Sequence, residues 1–414
     1  MAIGAALAAL VLPLTGIIPA TAAAPEPTPS KRYLVTGPAS TDQRTKVART
    51  GAAIDKVRKD GTLEVSAIPS ELGAIKKLGF KTTELAAPKP HKRTTADSYH
   101  TYDETLKELD AVVSAHPEIA KKFTVGKSFE GREIVGLKIS DNVAQDENEP
   151  EVFFNANIHA RERLTNEQAL YIINELTKGY AADERVKKLV DGREFWIVPI
   201  SNPDGQIYDM TSDTQPGRMW RKNRQPNSTS TGTDLNRNFG FKWNCCGGSS
   251  GDGASETYRG TAAESAPEVK ALSDFVRSRV VGGKQQIKVF VDIHSEAELV
   301  LWPFGWTKEP VVEGMSEDEA ATHSTIGKEM AKSNGYTPEQ SSELYITDGA
   351  SDDWTWGDQR IFSYTFELGG GSFYPEPGQI ETETKRNREA LLKLAEYADC
   401  PYRAIGKDQQ YCKS

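Results

Sequence analysis

A histidine and a glutamate lie close together just beyond an apolar run of the chain. The stretch from Asn155 to Thr165 reads NANIHARERLT, and it places His159 and Glu162 three residues apart. On a strand-to-helix connection, this spacing can direct an imidazole and a carboxylate at one ion, as zinc requires. The H-x-x-E pattern alone is weak, because 6 histidines and 59 acidic residues make an accidental match easy.

A second histidine, His294, ends another apolar run, KVFVDIH. Open α/β sheets place ligands beyond the carboxyl ends of their strands, so His159, Glu162 and His294 can meet at one edge. Three nitrogen and oxygen ligands leave a fourth position for water, which is typical of a catalytic zinc site. A core or turn histidine is the alternative for either residue taken singly.

A third apolar run, IFSYTFELGG, carries Glu367 near its end. A carboxylate within an apolar strand is costly unless it has a partner or a task. Next to water activated by zinc, it would suit the role of a general base at neutral pH. An ion-paired glutamate at the rim of the sheet is the alternative.

Two clusters are rich in arginine, RMWRKNR from Arg218 to Arg224 and DLNRNF from Asp234 to Phe239. The guanidinium group suits bidentate binding of a carboxylate or a phosphate. Solvated basic loops are the alternative. Together the clusters indicate a site for an anionic group of the substrate.

The elements that must position these residues follow one another from Tyr99 onward as alternating strand and helix patterns. Several strand patterns are apolar on both faces, which is typical of a parallel sheet covered by helices. The spacing of Thr165 and Gln168 predicts a capping box and a helix that begins at Thr165. We therefore predict an α/β fold with a mixed, largely parallel twisted sheet flanked by helices.

The N-terminus predicts export. Residues 1–24 are apolar and end in small residues with A-x-A spacing, as in a signal peptide. A membrane anchor is the alternative, but Pro13, Gly16 and Pro19 interrupt the apolar span. We expect a secreted, extracellular protein.

The next segment, from Lys31 to Leu85, predicts a small α+β unit with the order β-α-β-α-β, including a helix around Thr45 to Lys59. The Pro-rich basic stretch AAPKPHKRTTADS follows it, and such exposed linkers are where proteases cut. We interpret residues 25–97 as a pro-segment and linker removed by an activating protease. Residues 98–400 would form the catalytic domain and residues 401–414 a C-terminal tail. A permanent accessory domain is the alternative.

Net charge and cysteine content limit the kinds of partner and metal site that the protein can have. The formal net charge of -9 disfavours binding to nucleic acid. It also disfavours binding to a membrane once the signal peptide is removed. We further expect the protein to be a monomer. Four cysteines should pair in an oxidising compartment, and three pairings are possible. A cysteine zinc site is disfavoured because no C-x-x-C spacing occurs.

Between Tyr99 and Tyr397, the motifs HARE, RMWRKNR, DLNRNF, DIHS, LYITDGASDDW and FEL occur in the order that resembles zinc carboxypeptidases of the A, B and T type. The resemblance implies one Zn²⁺ held by His159, Glu162 and His294, with Glu367 as general base and acid. It implies that Arg224 polarises the scissile carbonyl. The implied substrate-binding residues are Arg161, Arg221, Asn236, Arg237, Ser295, Tyr345 and Asp352.

This resemblance also implies a reaction and a substrate class. The enzyme would hydrolyse the last bond of a peptide or protein, because a fixed clamp for the terminal carboxylate excludes internal bonds. Asp352 falls where the family forms the floor of the terminal pocket, so basic terminal residues should be accepted, and apolar ones also. Neighbouring Asp353 is the alternative for that position. Arg163 departs from the family, in which an aromatic residue often follows HARE.

Three other functions compete with this interpretation. The loop Gly247 to Gly251, GGSSG, fits the G-x-S-x-G pattern of serine hydrolases, but it lacks the preceding strand that the motif needs. A zinc-dependent N-acyl-amino-acid deacylase would share the ligand turn. A non-catalytic zinc-binding protein would be expected to lack Glu367 or Arg224.

Overall fold

The structure is a computed structural model that describes residues 1, 30–86, 99–211 and 217–412. Nearly all of the predicted export signal and of the basic linker lie outside these residues. The predictions made for those two segments therefore stay predictions.

The N-terminal unit is a four-stranded antiparallel sheet with two helices. Its strand order is β2-β3-β1-β4, and an apolar cluster that includes Val35, Val47, Leu63 and Ile75 lies beneath it. The elements are β1 (Lys31–Thr36), α1 (Thr41–Ala48), β2 (Ala53–Val57), β3 (Leu63–Ala67), α2 (Pro69–Lys77) and β4 (Lys81–Glu84).

The predicted helix around Thr45 to Lys59 is wrong in its second half. Helix α1 ends at Ala48, and Gly51 follows with a φ of 96°, a left-handed conformation that suits glycine. The chain then enters β2, which pairs with β3. The unit is therefore β-α-β-β-α-β, because tertiary strand pairing overrides local helix propensity.

The second part of the chain forms an eight-stranded mixed sheet with the order β13-β12-β14-β11-β7-β8-β6-β5. Its central strands β14, β11, β7 and β8 are parallel to one another. On either side of them, β12 and β6 are antiparallel to their central neighbours, β13 is parallel to β12, and β5 is antiparallel to β6. The predicted fold class is confirmed. The elements are α3 (Tyr102–Ala115), β5 (Ala120–Lys127), β6 (Glu133–Ile139), β7 (Glu151–Ala156), α4 (Arg163–Gly179), α5 (Glu184–Val190), β8 (Glu194–Val198), α6 (Pro203–Met210), α7 (Pro267–Ser278), β9 (Val280–Val281), β10 (Lys284–Gln285), β11 (Ile287–Ser295), β12 (Leu299–Trp302), α8 (Glu317–Asn334), β13 (Thr337–Gln340), α9 (Ser341–Leu344), α10 (Ser351–Gly357), β14 (Phe362–Leu368), α11 (Ile380–Arg386), α12 (Arg388–Tyr397) and α13 (Asp408–Tyr411).

Both faces of the central strands are buried. In β11, Val291 and Ile293 belong to the apolar cluster beneath α4 and α12, while Phe290 belongs to a second cluster beneath α7. Because side chains alternate along a strand, His294 lies on the Phe290 face, at the carboxyl end of β11. The sheet thus brings polar groups to one edge while its interior stays apolar.

Two disulfides account for all four cysteines. Cys245 is joined to its neighbour Cys246, and Cys400 is joined to Cys412, which closes a loop just beyond α12. Within the described ranges, none of the helices is both long and apolar enough to span a membrane.

Candidate active site

The turn between β7 and α4 holds the first two zinc-ligand candidates. Helix α4 begins at Arg163, two residues before the predicted start at Thr165, so Glu162 lies at its N-cap. Asn157, with a φ of 53°, donates its side-chain amide to the carbonyls of His159 and Glu162, at 3.2 Å each. The Thr165 hydroxyl donates to the same Glu162 carbonyl at 2.6 Å. These bonds fix the backbone that presents both ligands.

The three candidate ligands meet at one point. His159 Nδ1 lies 2.8 Å from Glu162 Oε1, and His294 Nδ1 lies 3.0 Å from Glu162 Oε2. The two Nδ1 atoms are 3.1 Å apart, and all three side chains are buried. Two imidazole nitrogens and one carboxylate that converge in this way match the donor set of zinc.

The other nitrogen of each imidazole is also paired with a carboxylate. His159 Nε2 lies 3.0 Å from Asp234 Oδ1, and His294 Nε2 lies 3.2 Å from Asp292 Oδ2. Such partners orient a ligating histidine and fix its tautomer, so each Nδ1 is left for the metal. Sequence reasoning missed both roles, although Asp292 lies two residues before His294 and hence on the same strand face.

The protonation states of the carboxyl groups at this centre depend on their burial and on the neighbouring charged groups. Burial alone would raise the pKa of Glu162, but His159 and His294 outweigh it and hold that pKa well below its usual range. Burial would also raise the pKa of Asp234. Arg221 and His159 stabilise its carboxylate more strongly, so this pKa too lies well below its usual range. Both carboxylates are therefore ionised and available as ligand and as orienting group.

Glu367 is the direct neighbour of His294 across the sheet. The two residues are paired in the register of the parallel strands β11 and β14, and both line the same cavity. Burial raises the pKa of Glu367 to about 8, although His294 lowers it. A carboxyl group with a pKa near neutrality is well suited to proton transfer during hydrolysis.

Of Arg221 and Arg224 in the RMWRKNR cluster, only Arg221 lines the cavity. Arg221 lines the cavity, donates to Asp234 Oδ2 at 2.9 and 3.1 Å, and lies 3.9 Å from Glu162 Oε1. The guanidinium of Arg224 instead stacks on Tyr208, 3.7 Å from the ring centroid. Arg224 is therefore not among the residues that line the cavity, although the sequence predicts it next to the scissile carbonyl.

Most of the expected substrate-binding residues lie around the same cavity. Those that line it are Arg221, Asn236, Arg237, Ser295, Tyr345 and Asp352. The Arg237 guanidinium is oriented by the carbonyls of Gly248 and Asn236, at 3.1 and 2.6 Å. Arg161 is not one of the lining residues, but its guanidinium pairs at 2.6 Å with Asp55 of the N-terminal unit, which is.

Of two adjacent aspartates at the start of α10, only Asp352 lines the cavity. Its carboxylate accepts from the Ser341 hydroxyl at 2.9 Å and from the Asp353 amide at 2.9 Å. Asp353 instead accepts from the amides of Gly305 and Trp306, at 2.8 and 3.1 Å. Asp353 therefore fixes a loop, and Asp352 is the aspartate that a ligand could reach.

Arg163 has a structural role that explains its departure from the aromatic residue. Its guanidinium donates to Asp209 Oδ2 at 2.7 and 3.0 Å and lies 4.1 Å from the ring centroid of Tyr374. The aliphatic and planar parts of arginine thus fill a site next to an aromatic ring. The ligand turn is unaffected.

The N-terminal unit covers the cavity. Ile54 and Asp55 of β2 contribute to its lining, and Arg44 of α1 donates to the Leu344 carbonyl at 2.7 Å, next to Tyr345.

The GGSSG segment from Gly247 to Gly251 lies in a loop rather than between a strand and a helix. That loop lacks the context of a serine nucleophile.

A mixed α/β sheet with a His-Glu-His group at its strand ends and a buried glutamate beside that group defines a zinc-dependent hydrolase. The family model described as zinc carboxypeptidase matches residues 105–390, and this chain belongs to that family. The protein is accordingly a metallocarboxypeptidase whose cofactor is Zn²⁺.

Individual relatives agree with this assignment. A zinc carboxypeptidase from Saccharothrix mutabilis subsp. capreolus is 45% identical over 432 residues, which cover 98% of this chain and 97% of the relative. Carboxypeptidase B from Homo sapiens is 31% identical over 368 residues, covering 86% and 82% of the two chains. The crystal structure of carboxypeptidase A from Helicoverpa armigera matches with a TM-score of 0.73 and 25% identity, covering 91% of this chain and 98% of that one.

Proposed function

We propose that this protein is the secreted zymogen of a carboxypeptidase that removes Lys or Arg, and also apolar residues, from the C-termini of peptides and proteins. The observation that carries the specificity is the carboxylate of Asp352, which lines the cavity and is 3% exposed. A desolvated carboxylate attracts a cationic side chain, and loss of one partner of such a pair costs about 2 to 5 kcal/mol.

The catalytic roles rest on the arrangement around the ligand group. His159, Glu162 and His294 hold the zinc ion. When bound, zinc supplies a Lewis acid that polarises the scissile carbonyl and acidifies water. Glu367 accepts a proton from the attacking water and passes it to the leaving amine. Arg221 donates to the oxygen on which negative charge develops, and Asp234 holds its guanidinium in place.

Recognition of the chain terminus is assigned to three residues on the cavity wall. Arg237 and Asn236 donate to the terminal carboxylate of the substrate, and the Tyr345 hydroxyl adds a third donor. Ser295 lies beside them, next to His294. A clamp of this kind limits hydrolysis to the last peptide bond, because an internal bond offers no carboxylate at that distance.

Acceptance of apolar terminal residues is supported by the walls of the cavity. Leu301, Leu344 and Ala350 line it together with Asp352. Apolar groups around a single carboxylate can pack against the stem of a lysine or arginine as well as against an apolar side chain. One pocket can therefore accept both basic and apolar terminal residues.

Export and activation complete the proposal. The signal-like residues 1–24 and the two disulfides fit an oxidising, extracellular location. The N-terminal unit sits over the cavity, so we assign residues 25–97 as an inhibitory pro-segment that an activating protease removes. The processed enzyme would act as a monomer.

The test compares kcat/KM for blocked dipeptides that end in Arg or in Phe, using the processed protein with and without a zinc chelator. Asp352→Asn should lower the Arg to Phe ratio by about 30-fold or more. Asp358→Asn, at the exposed end of the same helix, is the control and should keep the ratio. An unchanged ratio in Asp352→Asn would remove Asp352 from the terminal pocket, and chelator-resistant activity would contradict the zinc mechanism.

A further inference from the structure

Glu296 lies at the edge of the sheet where the reaction takes place. It follows Ser295 at the end of β11, and its side chain is 1% exposed. The next residue, Ala297, donates its amide to the Leu368 carbonyl of β14 at 3.1 Å. The loop that carries Glu296 is thereby fixed to the strand that carries Glu367.

The N-terminal unit supplies the cations that face this carboxylate. Arg32 of β1 approaches Glu296 Oε1 at 3.3 Å, and Lys56 of β2 approaches Oε2 at 3.6 Å. Within the described part of the chain, these are the ion pairs found for Glu296, and Oε2 has no hydrogen-bond partner there. The described residues of the catalytic part therefore supply no counter-ion to this buried carboxylate.

Arg32 is held next to the catalytic cavity. Glu64 of β3 binds its guanidinium at 2.6 Å, which fixes its direction. The guanidinium lies 5.5 Å from the ring centroid of Phe373, and Phe373 lines the cavity. Arg32, the nearer of the two cations that face Glu296, thus lies beside a residue of the cavity wall.

The two ion pairs of Glu296 are longer than the nearby ion pair that joins the N-terminal unit to the ligand turn. Asp55 and Arg161 are 2.6 Å apart, whereas the two contacts of Glu296 are 3.3 and 3.6 Å. A buried carboxylate costs free energy unless a cation compensates it. Once the N-terminal unit leaves, a substrate that enters the cleft can supply that cation.

We propose that Glu296 is a specificity residue that binds a Lys or Arg side chain on the amino side of the scissile bond. Arg32 and Lys56 hold the place of that side chain in the intact chain. With Asp352 at the terminal pocket, the preferred substrates are peptides that carry basic residues both at the C-terminus and just before it. This inference rests on the proposed carboxypeptidase function and on removal of the N-terminal unit.

Glu298 offers a matched control on the same loop. It carries the same charge two residues further on, and its half-exposed carboxylate pairs with Arg386 of α11 at 3.0 Å. Since Arg386 belongs to the catalytic part, this pair survives removal of the N-terminal unit. Substitution of Glu298 therefore removes one negative charge from the loop without touching the proposed recognition site.

The experiment uses the full chain, processed by limited proteolysis, and blocked tetrapeptides that end in Arg. Lys is compared with Met at each of the two positions before the terminal residue, since Met has a similar length and no charge. In the wild type, kcat/KM should favour Lys by about two- to fivefold at one of these positions. Glu296→Gln should bring that ratio close to one, and Glu298→Gln should keep the wild-type ratio.

Salt provides a readout that needs no variant. The wild-type preference for Lys over Met should decrease as ionic strength rises, because removal of the N-terminal unit opens the cleft to solvent and dissolved ions then screen the attraction between the two charges. A ratio near one at both positions, or an equal preference in the wild type and Glu296→Gln, would overturn the inference and leave Glu296 as a docking contact only. Absence of activity on every peptide would instead contradict the proposed function itself.

Discussion

Asp55 of the N-terminal unit and Arg161 of the ligand turn form a buried ion pair, with Arg161 Nη2 at 2.6 Å from Asp55 Oδ1. Arg161 also donates to the Ser66 hydroxyl at 3.0 Å, and it directly precedes the zinc-ligand candidate Glu162. Through this pair, strand β2 is bound to the backbone that presents two of the ligands. Removal of one partner would leave the other charged and buried.

Asp55→Asn should therefore weaken docking of the N-terminal unit. Truncation of one partner of a buried pair costs about 3 to 5 kcal/mol, which would expose the cavity in a much larger fraction of intact molecules. We expect the kcat/KM of the uncleaved chain to rise towards that of the processed enzyme. Asp60→Asn, at an exposed turn of the same unit, should leave the uncleaved chain as inactive as the wild type. Unchanged latency of Asp55→Asn would show that other contacts hold the unit in place.

Glu367→Gln should separate metal binding from turnover. The amide keeps the shape of the side chain but cannot accept the proton, and loss of a general base costs about 10²- to 10⁴-fold in rate. Zinc measured by atomic absorption should remain at the wild-type ratio, because the proposed ligands His159, Glu162 and His294 are unchanged. The exposed Glu381→Gln variant is the control for both measurements. Near wild-type kcat in Glu367→Gln would exclude it as the base.

The ligand group could be predicted from the sequence because its signal is local. His159, His294 and Glu367 each occur at or just beyond the end of an apolar strand, and the carboxyl ends of parallel strands share one edge of a sheet. Polar residues at such positions are conspicuous against the apolar pattern. The parallel order β14-β11-β7 then brings them together.

What could not be predicted depends on contacts between residues distant in sequence. Asp234 is 75 residues from His159, and no local pattern indicates that it orients the imidazole. Similarly, Arg221 and Arg224 occur in one short motif, and only the fold shows which of them turns towards the cavity and which stacks on Tyr208. Strand β2 was missed for the same reason, since its pairing with β3 outweighs a helical sequence pattern.

The two arginines make a direct test of this reassignment. Arg221→Met should lower kcat by about 10²- to 10³-fold, because a donor to the developing oxyanion is removed. Arg224→Met should lower it far less, since its guanidinium lies on an aromatic ring outside the cavity lining. Zinc content and thermal melting of both variants check that Asp234 and the fold tolerate the change. The reverse order of the two effects would restore the role to Arg224.

Glu71 of α2 gives the intact chain a pH-dependent stability. Its side chain is buried, and Oε2 accepts from the Ile68 amide at 2.9 Å. Burial raises the pKa of Glu71 to about 7, the Ile68 amide opposes that rise, and Glu256 and Asp252 of the catalytic part add to it. The native chain therefore binds this proton more tightly than the unfolded chain, in which the pKa is about 4.5.

The sign of the effect follows from that difference. A raised native pKa contributes stability that is complete below about pH 4.5 and is lost as the pH rises through about 7, up to about 3 kcal/mol. We expect the thermal midpoint of the intact chain to fall more between pH 5 and pH 8 in the wild type than in Glu71→Gln, which cannot ionise. Glu84→Gln, on the exposed strand β4, should keep the wild-type dependence. Equal pH dependence of the wild type and Glu71→Gln would mean that the carboxyl group is ionised in the native chain throughout this range.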